Sequence, residues 1–305
     1  RLNRRWNITH FHKEPEGRYK DMRSGLEFWL HRAQAALAKV GVAEVLVTEW
    51  PLFQLLGDLG GTFLMPGNGE FLFLQRFLRR GPTTLESGAH DGWETLSVAA
   101  AFPKARIIAV EPHPGAFAKL ERRIGACEVC GDRVVLVHAA LGEEDGFAPF
   151  YVSANGTDDL DPSAEGWGTD AHSSLLKPIH PEVKHKFHNF TMPTNISVRS
   201  LSSLTQELDV DIDYMEMDMQ GAELMVLRGA GAALDRITAI KTECVNAGNT
   251  YEGVATFEQQ HEFLTKAGFS LVWFTGGGGT FAGNPHNAFY LAKRATNVIP
   301  DVFQS

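Results

Sequence analysis

Cysteine is scarce in this chain of 305 residues, which contains only three. Three cysteines do not form the disulfide framework on which small secreted domains depend, so a reducing, cytoplasmic environment is expected. Cys127 and Cys130 form a lone C-x-x-C that has no second pair to complete a zinc site. We therefore interpret both as ordinary loop cysteines, with a redox or metal role as the alternative.

Long apolar runs and a basic excess are missing too. No run reaches the roughly 18 apolar residues that a membrane-spanning helix needs, so no membrane association is expected. The 28 Lys and Arg residues are outnumbered by 37 Asp and Glu, for a net charge of −9. This charge repels phosphate backbones and disfavours nucleic acid as a partner. Four N-x-S/T sequons and a first residue other than Met leave a secretory origin open as an alternative.

The N-terminal part, residues 1–65, is interpreted as a helical extension or cap on a domain that covers residues 66–305. Apolar residues recur at helical spacing over residues 24–41 and form one stripe on an amphipathic helix. A single unpaired stripe of this kind suggests packing against the domain or contact with a second copy. A homodimer through this helix is therefore one expectation.

From about residue 83, short strand-like segments alternate with helical ones, which is typical of a parallel sheet with crossover helices. Helices are predicted at 93–102, 115–124, 222–227 and 256–267. Seven strands are predicted, at 83–87, 106–110, 134–138, 212–217, 237–243, 270–274 and 288–292. The sequence thus predicts a Rossmann-like α/β fold.

Two connections depart from the simple alternation. The Gly-rich loop between the last two strands has no room for a helix, which predicts an antiparallel C-terminal hairpin on a mainly parallel seven-strand sheet. Residues 153–193 form an irregular insertion between the third and fourth strands. Loops of this length are usually functional or mobile, so we interpret the insertion as a lid over a substrate or as a surface excursion.

The first predicted strand runs into a glycine-bearing turn with the spacing E-x-G-x-x-x-G, from Glu86 through Gly88 to Gly92. Glycines let the backbone turn tightly and approach a ligand, and the helix that follows presents N–H groups at its start. A dinucleotide fingerprint would read G-x-G-x-x-G and would bind a pyrophosphate. An acidic residue at the start of the turn suits a cationic ligand such as S-adenosylmethionine better than a diphosphate.

Acidic residues also end the next strands. Glu111, followed by Pro112, can accept both hydroxyls of a ribose, as acids at this position do for adenosine ligands. Asp218 ends the fourth predicted strand and Glu243 the fifth. Because the carboxyl ends of parallel strands lie at one edge of a sheet, we expect these acids to surround one cleft.

The chain resembles the FkbM family of O-methyltransferases over roughly residues 66–293. The resemblance is carried by five motifs in the family's order: E-x-G-A-x-x-G at 86–92, V-E-P-x-P at 110–114, S-S-L at 173–175, D-x-Q-G-A-E at 218–223 and V-L-x-G-A at 226–230. It implies a class I methyltransferase that uses S-adenosylmethionine to methylate a hydroxyl of a sugar, natural product or other small molecule. The implied donor-binding residues are Glu86, Gly88, Ala89, Gly92, Glu111, Pro112, Ser174 and Asp218.

Three positions depart from the family pattern. The family usually has Asp where this chain has Glu86, which preserves the charge. It often has Lys where this chain has Glu216, and Asp within the segment that reads Leu201-Ser202-Ser203 here. These last two changes bear on the identity of the methyl acceptor more than on the donor.

Methyl transfer to a hydroxyl requires an aligned acceptor and a group that removes its proton. Asp218 is the first candidate base, followed by Glu243 and His172. Alternatively, Asp218, Glu243 and Asn246 would supply oxygen ligands for Mg²⁺ or Mn²⁺. The other possibility is that Glu223 and Glu243 hold backbone N–H groups or the loop after the fourth strand, and that no metal binds.

Two further hypotheses are compatible with the sequence. An NAD-dependent oxidoreductase would use the same fold, although the third glycine of its fingerprint is missing. A non-catalytic binding protein would keep the fold without turnover. An RNA or protein methyltransferase is disfavoured by the net charge of −9 and by the lack of an N-P-P-Y-like motif. A small-molecule or glycan acceptor is therefore expected.

Overall fold

The computed structural model describes residues 74, 77–79, 81–128, 130–153, 169–179, 193–244, 251–276 and 285–296. The predicted N-terminal helix, the extension to residue 65 and Asn246 lie outside these residues, as does most of the 153–193 insertion. The predictions that concern them, including the homodimer, therefore stay predictions.

The main sheet has seven strands in the order β3-β2-β1-β7-β8-β10-β9. The strands are β1 (Thr83–Ser87), β2 (Arg106–Val110), β3 (Val134–Val137), β7 (Tyr214–Met217), β8 (Ala239–Glu243), β9 (Phe269–Gly276) and β10 (Pro285–Ala292). Neighbours from β3 to β8 pair in parallel, whereas β10 runs antiparallel to both β8 and β9. The predicted fold class is confirmed, including the antiparallel C-terminal hairpin.

The central strands β1 and β7 are buried on both faces, as expected when helices cover both sides of a parallel sheet. Side chains along each strand alternate between two apolar cores. Ile108 and Met215 pack in one core, while Ile107, Ala109 and Tyr214 pack in the other. Burying an aliphatic side chain of this size contributes roughly 1.5 to 3 kcal/mol, so these two cores stabilise the sheet.

Helices follow most of the strands, and some of them begin at a side-chain cap. They are α1 (Trp93–Ala101), α2 (Pro114–Gly125), α3 (Leu201–Leu208), α4 (Glu223–Arg228), α5 (Phe257–Lys266) and α6 (Lys293–Thr296). His113 caps α2 through Nδ1, which accepts a hydrogen bond from the Ala116 N–H at 3.1 Å. Thr256 and Gln259 form a reciprocal capping box at the start of α5. The predicted helices α1, α2, α4 and α5 agree with these bounds to within about a residue at most ends.

A second, three-stranded sheet was not predicted. Its order is β4-β6-β5, with β4 (Ala140–Gly142), β5 (Gly146–Phe150) and β6 (Thr194–Ser200). Strands β5 and β6 flank the insertion and pair antiparallel, so that Phe150 lies opposite Thr194. Gly and Pro within β5 weaken the strand signal in the sequence, which explains why this sheet was missed.

Within the insertion, the described residues 169–179 include a short 3-10 helix (Thr169–His172). Two isolated bridges attach this segment to the rest of the domain, between Tyr151 and Ser174 and between Pro178 and Tyr251. The interpretation of the insertion as a lid stays a prediction.

The two cysteines of the C-x-x-C do not remain free. Cys127 and Cys130 form a disulfide with an S–S distance of 2.08 Å in the turn that follows α2. The expectation of ordinary loop cysteines is wrong because this turn brings their Cα atoms to 5.4 Å, within the range that a disulfide spans. Disulfides are rare in a reducing cytosol, so the cytoplasmic location stays a prediction.

No helix among the described residues is long and apolar enough to cross a bilayer.

Candidate active site

A cavity of about 240 Å³ opens at the carboxyl ends of the central strands. Six of the residues predicted to bind the donor line it: Glu86, Gly88, Ala89, Glu111, Pro112 and Asp218. The cavity therefore brings together the tips of β1, β2 and β7, as expected for the ligand site of an open α/β sheet.

The turn after β1 depends on its two glycines. Gly88 has φ +88°, and a Cβ there would lie 1.9 Å from the backbone oxygen of Asp218. Gly92 has φ +87°, and its Cβ would lie 2.6 Å from a methyl carbon of Leu120. Gly88 is thus required for the close approach of the loops after β1 and β7. Gly92 does not line the cavity and serves the packing of the turn on α2.

Glu111 is held rigidly at the tip of β2. One carboxylate oxygen accepts a hydrogen bond from the His90 N–H at 2.8 Å, and the other accepts from the His113 N–H at 2.7 Å. The side chain is buried, with 5% exposure. A carboxylate oxygen has two lone pairs, so it can accept more than one hydrogen bond.

Glu86 is a buried acid of the cavity with a strongly raised pKa. Its Oε2 accepts a hydrogen bond from the Thr95 hydroxyl at 2.6 Å, whereas buried Oε1 has no partner among the described residues. Burial raises the pKa of Glu86 to about 8, and the carboxylates of Glu216 and Glu94 contribute in the same direction. Without a bound cationic ligand, Glu86 is therefore largely protonated at neutral pH.

The turn after β7 carries a second group of polar contacts. Gln220 donates hydrogen bonds to Asp218 at 2.9 Å and to Glu243 at 3.0 Å, so it links the first two predicted catalytic acids. Burial, followed by the charge of Asp218, raises the pKa of Glu243 well above its ordinary value. Asp218 lines the cavity and Glu243 does not. Asp218 is therefore better placed to meet a ligand.

Glu223 holds the loop after β7 through hydrogen bonds to its backbone. Its Oε1 accepts hydrogen bonds from the N–H groups of Met219 at 2.9 Å and Gly221 at 3.2 Å. Burial raises its pKa to about 7. This is the loop-holding role that the sequence offered as the alternative to metal ligation. Within the described part of the chain, no group of three or more His, Cys, Asp and Glu side chains could hold a metal ion.

Two further predicted site residues lie away from the cavity lining. The carbonyl oxygen of His172 accepts a hydrogen bond from the Tyr251 hydroxyl at 2.5 Å. The Ser174 hydroxyl donates to the Gln220 carbonyl at 3.0 Å and accepts from the Leu176 N–H at 3.0 Å. Both residues thus anchor the 169–179 segment, Ser174 to the loop that carries Asp218. Their roles in catalysis and donor binding stay predictions.

The sequence analysis missed an ion pair in the cavity wall. Lys241 on β8 lies opposite Glu216 on β7 in the register of the sheet, with Nζ 2.6 Å from Oε1. Their side chains are 17% and 11% exposed, and the Tyr214 hydroxyl donates to the other oxygen of Glu216 at 3.2 Å. The available signal was a lysine inside a predicted buried strand, since a buried lysine needs a partner.

Glu94 and Asn287 also line the cavity and were not predicted. Glu94 follows the first residue of α1, and burial together with the charge of Glu216 raises its pKa. Asn287 lies on β10 opposite Glu243. The wall formed by Glu94, Glu216, Lys241 and Asn287 is therefore polar, in contrast to the apolar side chains of Pro112, Leu141 and Phe150 that line the cavity elsewhere.

The strand order, the antiparallel C-terminal pair and a ligand cavity at the tips of β1, β2 and β7 define the class I methyltransferase architecture. The model of the FkbM methyltransferase domain matches residues 86–271, more than half of the chain. The chain belongs to the FkbM methyltransferase family, and the resemblance seen in its motifs is confirmed.

Two curated relatives are similar in sequence. The 2-O-methyltransferase NoeI of Sinorhizobium fredii is 30% identical over 173 residues, which cover 56% of this chain and 66% of the relative. Methyltransferase 1 of Beauveria bassiana is 26% identical over 149 residues, which cover 48% of this chain and 57% of the relative. The chain thus spans less than two thirds of the length of each relative.

Solved structures with similarity to this chain include two methyltransferases. The precorrin-6y C5,15-methyltransferase of Geobacter metallireducens has a TM-score of 0.39 at 15% identity, covering 76% of this chain and 92% of that one. An rRNA methylase of Streptococcus thermophilus has a TM-score of 0.38 at 11% identity, covering 76% and 98%. At these TM-scores, the family assignment depends on the family model.

Proposed function

We propose that this protein is an S-adenosylmethionine-dependent O-methyltransferase that acts on a hydroxyl of a small molecule or glycan. The proposal depends mainly on one observation: the cavity contains both the rigidly held carboxylate of Glu111 and the unpartnered buried oxygen of Glu86. The first suits a ribose and the second suits a cationic group, and S-adenosylmethionine carries both.

The residues of the cavity fit the donor as follows. Glu111 would accept hydrogen bonds from the ribose hydroxyls. The apolar side chains of Pro112, Leu141 and Phe150 offer a surface for the adenine. Glu86 would accept from the ammonium group of the donor, and the positive charge would lower the raised pKa of this carboxyl and favour its ionised form.

The bound donor would supply an electrophilic methyl carbon on a positively charged sulfur. The acceptor oxygen forms its bond to that carbon as the carbon–sulfur bond breaks, and the electron pair of the broken bond stays on sulfur. The hydroxyl proton must leave, and Asp218 is the carboxylate of the cavity that we assign to receive it. Gln220 would orient Asp218 through the 2.9 Å hydrogen bond.

An oxygen acceptor is supported by the name of the relative NoeI, a 2-O-methyltransferase. Binding of NAD is disfavoured because the carboxylates of Glu216 and Asp218 line the cavity and would repel a diphosphate. A Mg²⁺ or Mn²⁺ ion held by Asp218, Glu243 and Asn246 remains the metal-dependent version of the proposal. Turnover that chelation abolishes and Mg²⁺ restores would support that version.

Calorimetric titration of the full chain with S-adenosylmethionine and S-adenosylhomocysteine tests the proposal. Glu111→Ala removes hydrogen bonds to the ribose worth roughly 1.5 to 3 kcal/mol, so we expect a loss of at least about tenfold in affinity. Glu121→Ala is the matched control because Glu121 is an exposed glutamate on α2. Absence of binding by the folded native chain, or equal affinity of both variants, would refute the proposal.

A further inference from the structure

The cavity extends across the tips of neighbouring strands of the sheet. Its two ends are therefore lined by residues from different strands. Glu111 lies at the tip of β2, Glu86 on β1 and Asp218 after β7, while Lys241 on β8 and Asn287 on β10 line the opposite end. If the donor ribose lies at Glu111, as the proposed function requires, the end at β8 and β10 is left for the methyl acceptor. The inference below rests on that function.

The side chains at this end can both donate and accept hydrogen bonds. The Lys241 ammonium is an obligate donor, the Glu216 and Glu94 carboxylates accept when ionised, and the Asn287 amide does both. Glu216 fixes Lys241 at 2.6 Å, and Tyr214 in turn contacts Glu216. The ammonium is therefore held in one place at the cavity wall.

The ion pair calls for a reason beyond stability. Removing two charges from water costs free energy that their attraction often fails to recover, so a buried pair is weak evidence for a stabilising role. Here the pair is mostly buried and still lines the cavity. Charged groups fixed in that position can form hydrogen bonds only with ligands whose polar groups lie at matching distances, so they select ligands by geometry.

The charges at this end also select against one class of ligand. Glu94, Glu216 and Asp218 line the cavity together with Lys241, so acidic side chains outnumber the basic one. A carboxylate or phosphate on the acceptor would be repelled, whereas a neutral hydroxyl-rich molecule would meet donors and acceptors of both kinds.

We propose that Glu94, Glu216, Lys241 and Asn287 form an acceptor subsite for an uncharged polyol such as a neutral sugar. Lys241 donates a hydrogen bond to an acceptor hydroxyl oxygen and so determines which hydroxyl lies next to the donor methyl group. Glu216 positions Lys241, and Glu94 and Asn287 bind neighbouring hydroxyls.

The test uses a variant that removes both charges, because removing one would leave the other buried and unpaired. Glu216→Gln combined with Lys241→Met preserves the approximate shape of the pair. The matched control neutralises the exposed pair of Arg236 and Asp211, whose atoms are 2.8 Å apart, through Arg236→Gln and Asp211→Asn. The reversed pair, Glu216→Lys with Lys241→Glu, serves as a second variant that keeps an ion pair and moves the ammonium to β7.

The probes are the methyl glycosides of glucose, galactose, mannose and fucose. The charged counterparts, called uronides here, are the methyl glycosides of glucuronic, galacturonic and mannuronic acid, each with a free carboxylate. Binding to the protein loaded with S-adenosylhomocysteine is measured by saturation-transfer NMR and titration. We expect at least one neutral glycoside to bind, and its uronide to bind at least about tenfold more weakly or not at all. In both charge variants, glycoside affinity should fall at least about tenfold. In the double-neutral variant, which leaves no new charge beside Glu86, S-adenosylhomocysteine affinity should change less than about threefold.

The outcomes separate the two proposals. Native protein that binds S-adenosylhomocysteine but no neutral glycoside overturns the subsite alone, as do uronides that bind equally well. Glycoside affinity that is unchanged in whichever charge variants fold also overturns it. Native protein that does not bind S-adenosylhomocysteine overturns the proposed function, and the subsite with it.

Discussion

Glu86 gives the sharpest test of the electrostatics of the cavity. Its pKa is raised to about 8 from the ordinary value of 4.5, mainly by burial. Between these two values the folded protein binds more protons than the unfolded chain. Stability contributed by protonated Glu86 is therefore fully present below about pH 4.5 and is lost as pH rises towards about 8.

The size of the effect follows from the same two values. At about 1.4 kcal/mol per pH unit, the interval corresponds to up to about 5 kcal/mol of unfolding free energy for the ligand-free protein. Glu86→Gln resembles the protonated side chain at every pH, because an amide can accept from Thr95 and place a neutral group at the unpartnered position. The variant should match the native chain near pH 5 and exceed its stability by at least about 2 kcal/mol at pH 8.

The measurement is denaturant unfolding of both proteins at intervals from pH 5 to pH 8 without ligand. Taking the difference between them removes the contributions of other titrating groups, such as Glu223 and Glu243. Parallel pH profiles would show that burial does not raise the pKa of Glu86. The variant should also bind S-adenosylmethionine more weakly, although it is the more stable protein at pH 8.

Two further substitutions and one labelling experiment have defined expected results. Gly88→Ala should lower the melting temperature strongly and abolish donor binding, because the added Cβ would lie 1.9 Å from the backbone oxygen of Asp218. The control is Gly131→Ala, where φ is +52° and no atom lies within 4 Å of the added Cβ. It should lower the free energy of unfolding by only about 1 kcal/mol in thermal unfolding. Asp218→Asn should lower kcat by about 10²-fold or more at saturating S-adenosylmethionine, and a kcat near the native value would exclude Asp218 as the base. Alkylation of the denatured chain without reductant should label one cysteine, Cys244, because the other two form a disulfide. Prior reduction should raise the number of labelled cysteines to three. Three labelled cysteines without reductant would contradict the disulfide.

The sequence predicted the main sheet well because its strands carry strong local signals. Strands β1 and β2 are short runs bounded by glycine or proline, and their predicted ends coincide with the observed ones. The acids at the strand tips were predicted to share one cleft because parallel strands end at the same edge, and Glu86, Glu111 and Asp218 do line one cavity.

What the sequence could not supply depends on pairing between distant segments. The contact between Glu216 and Lys241 requires the register of β7 against β8, which no local pattern encodes. The link from Gln220 to Asp218 and Glu243 depends on the positive φ of 54° at Gln220, which residue preferences do not predict. The second sheet was missed for a further reason besides the Gly and Pro of β5, since β5 and β6 pair across the whole insertion.

The pairing of Phe150 with Thr194 also has a consequence for protein engineering. The chain leaves the second sheet and returns to it at adjacent positions, so the segment between them begins and ends side by side. Changing the length of a segment with fixed, neighbouring ends costs little additional closure entropy. The length of the chain between Phe150 and Thr194 can therefore be changed at little cost in stability, provided that the attachment points at Ser174 and Pro178 are kept.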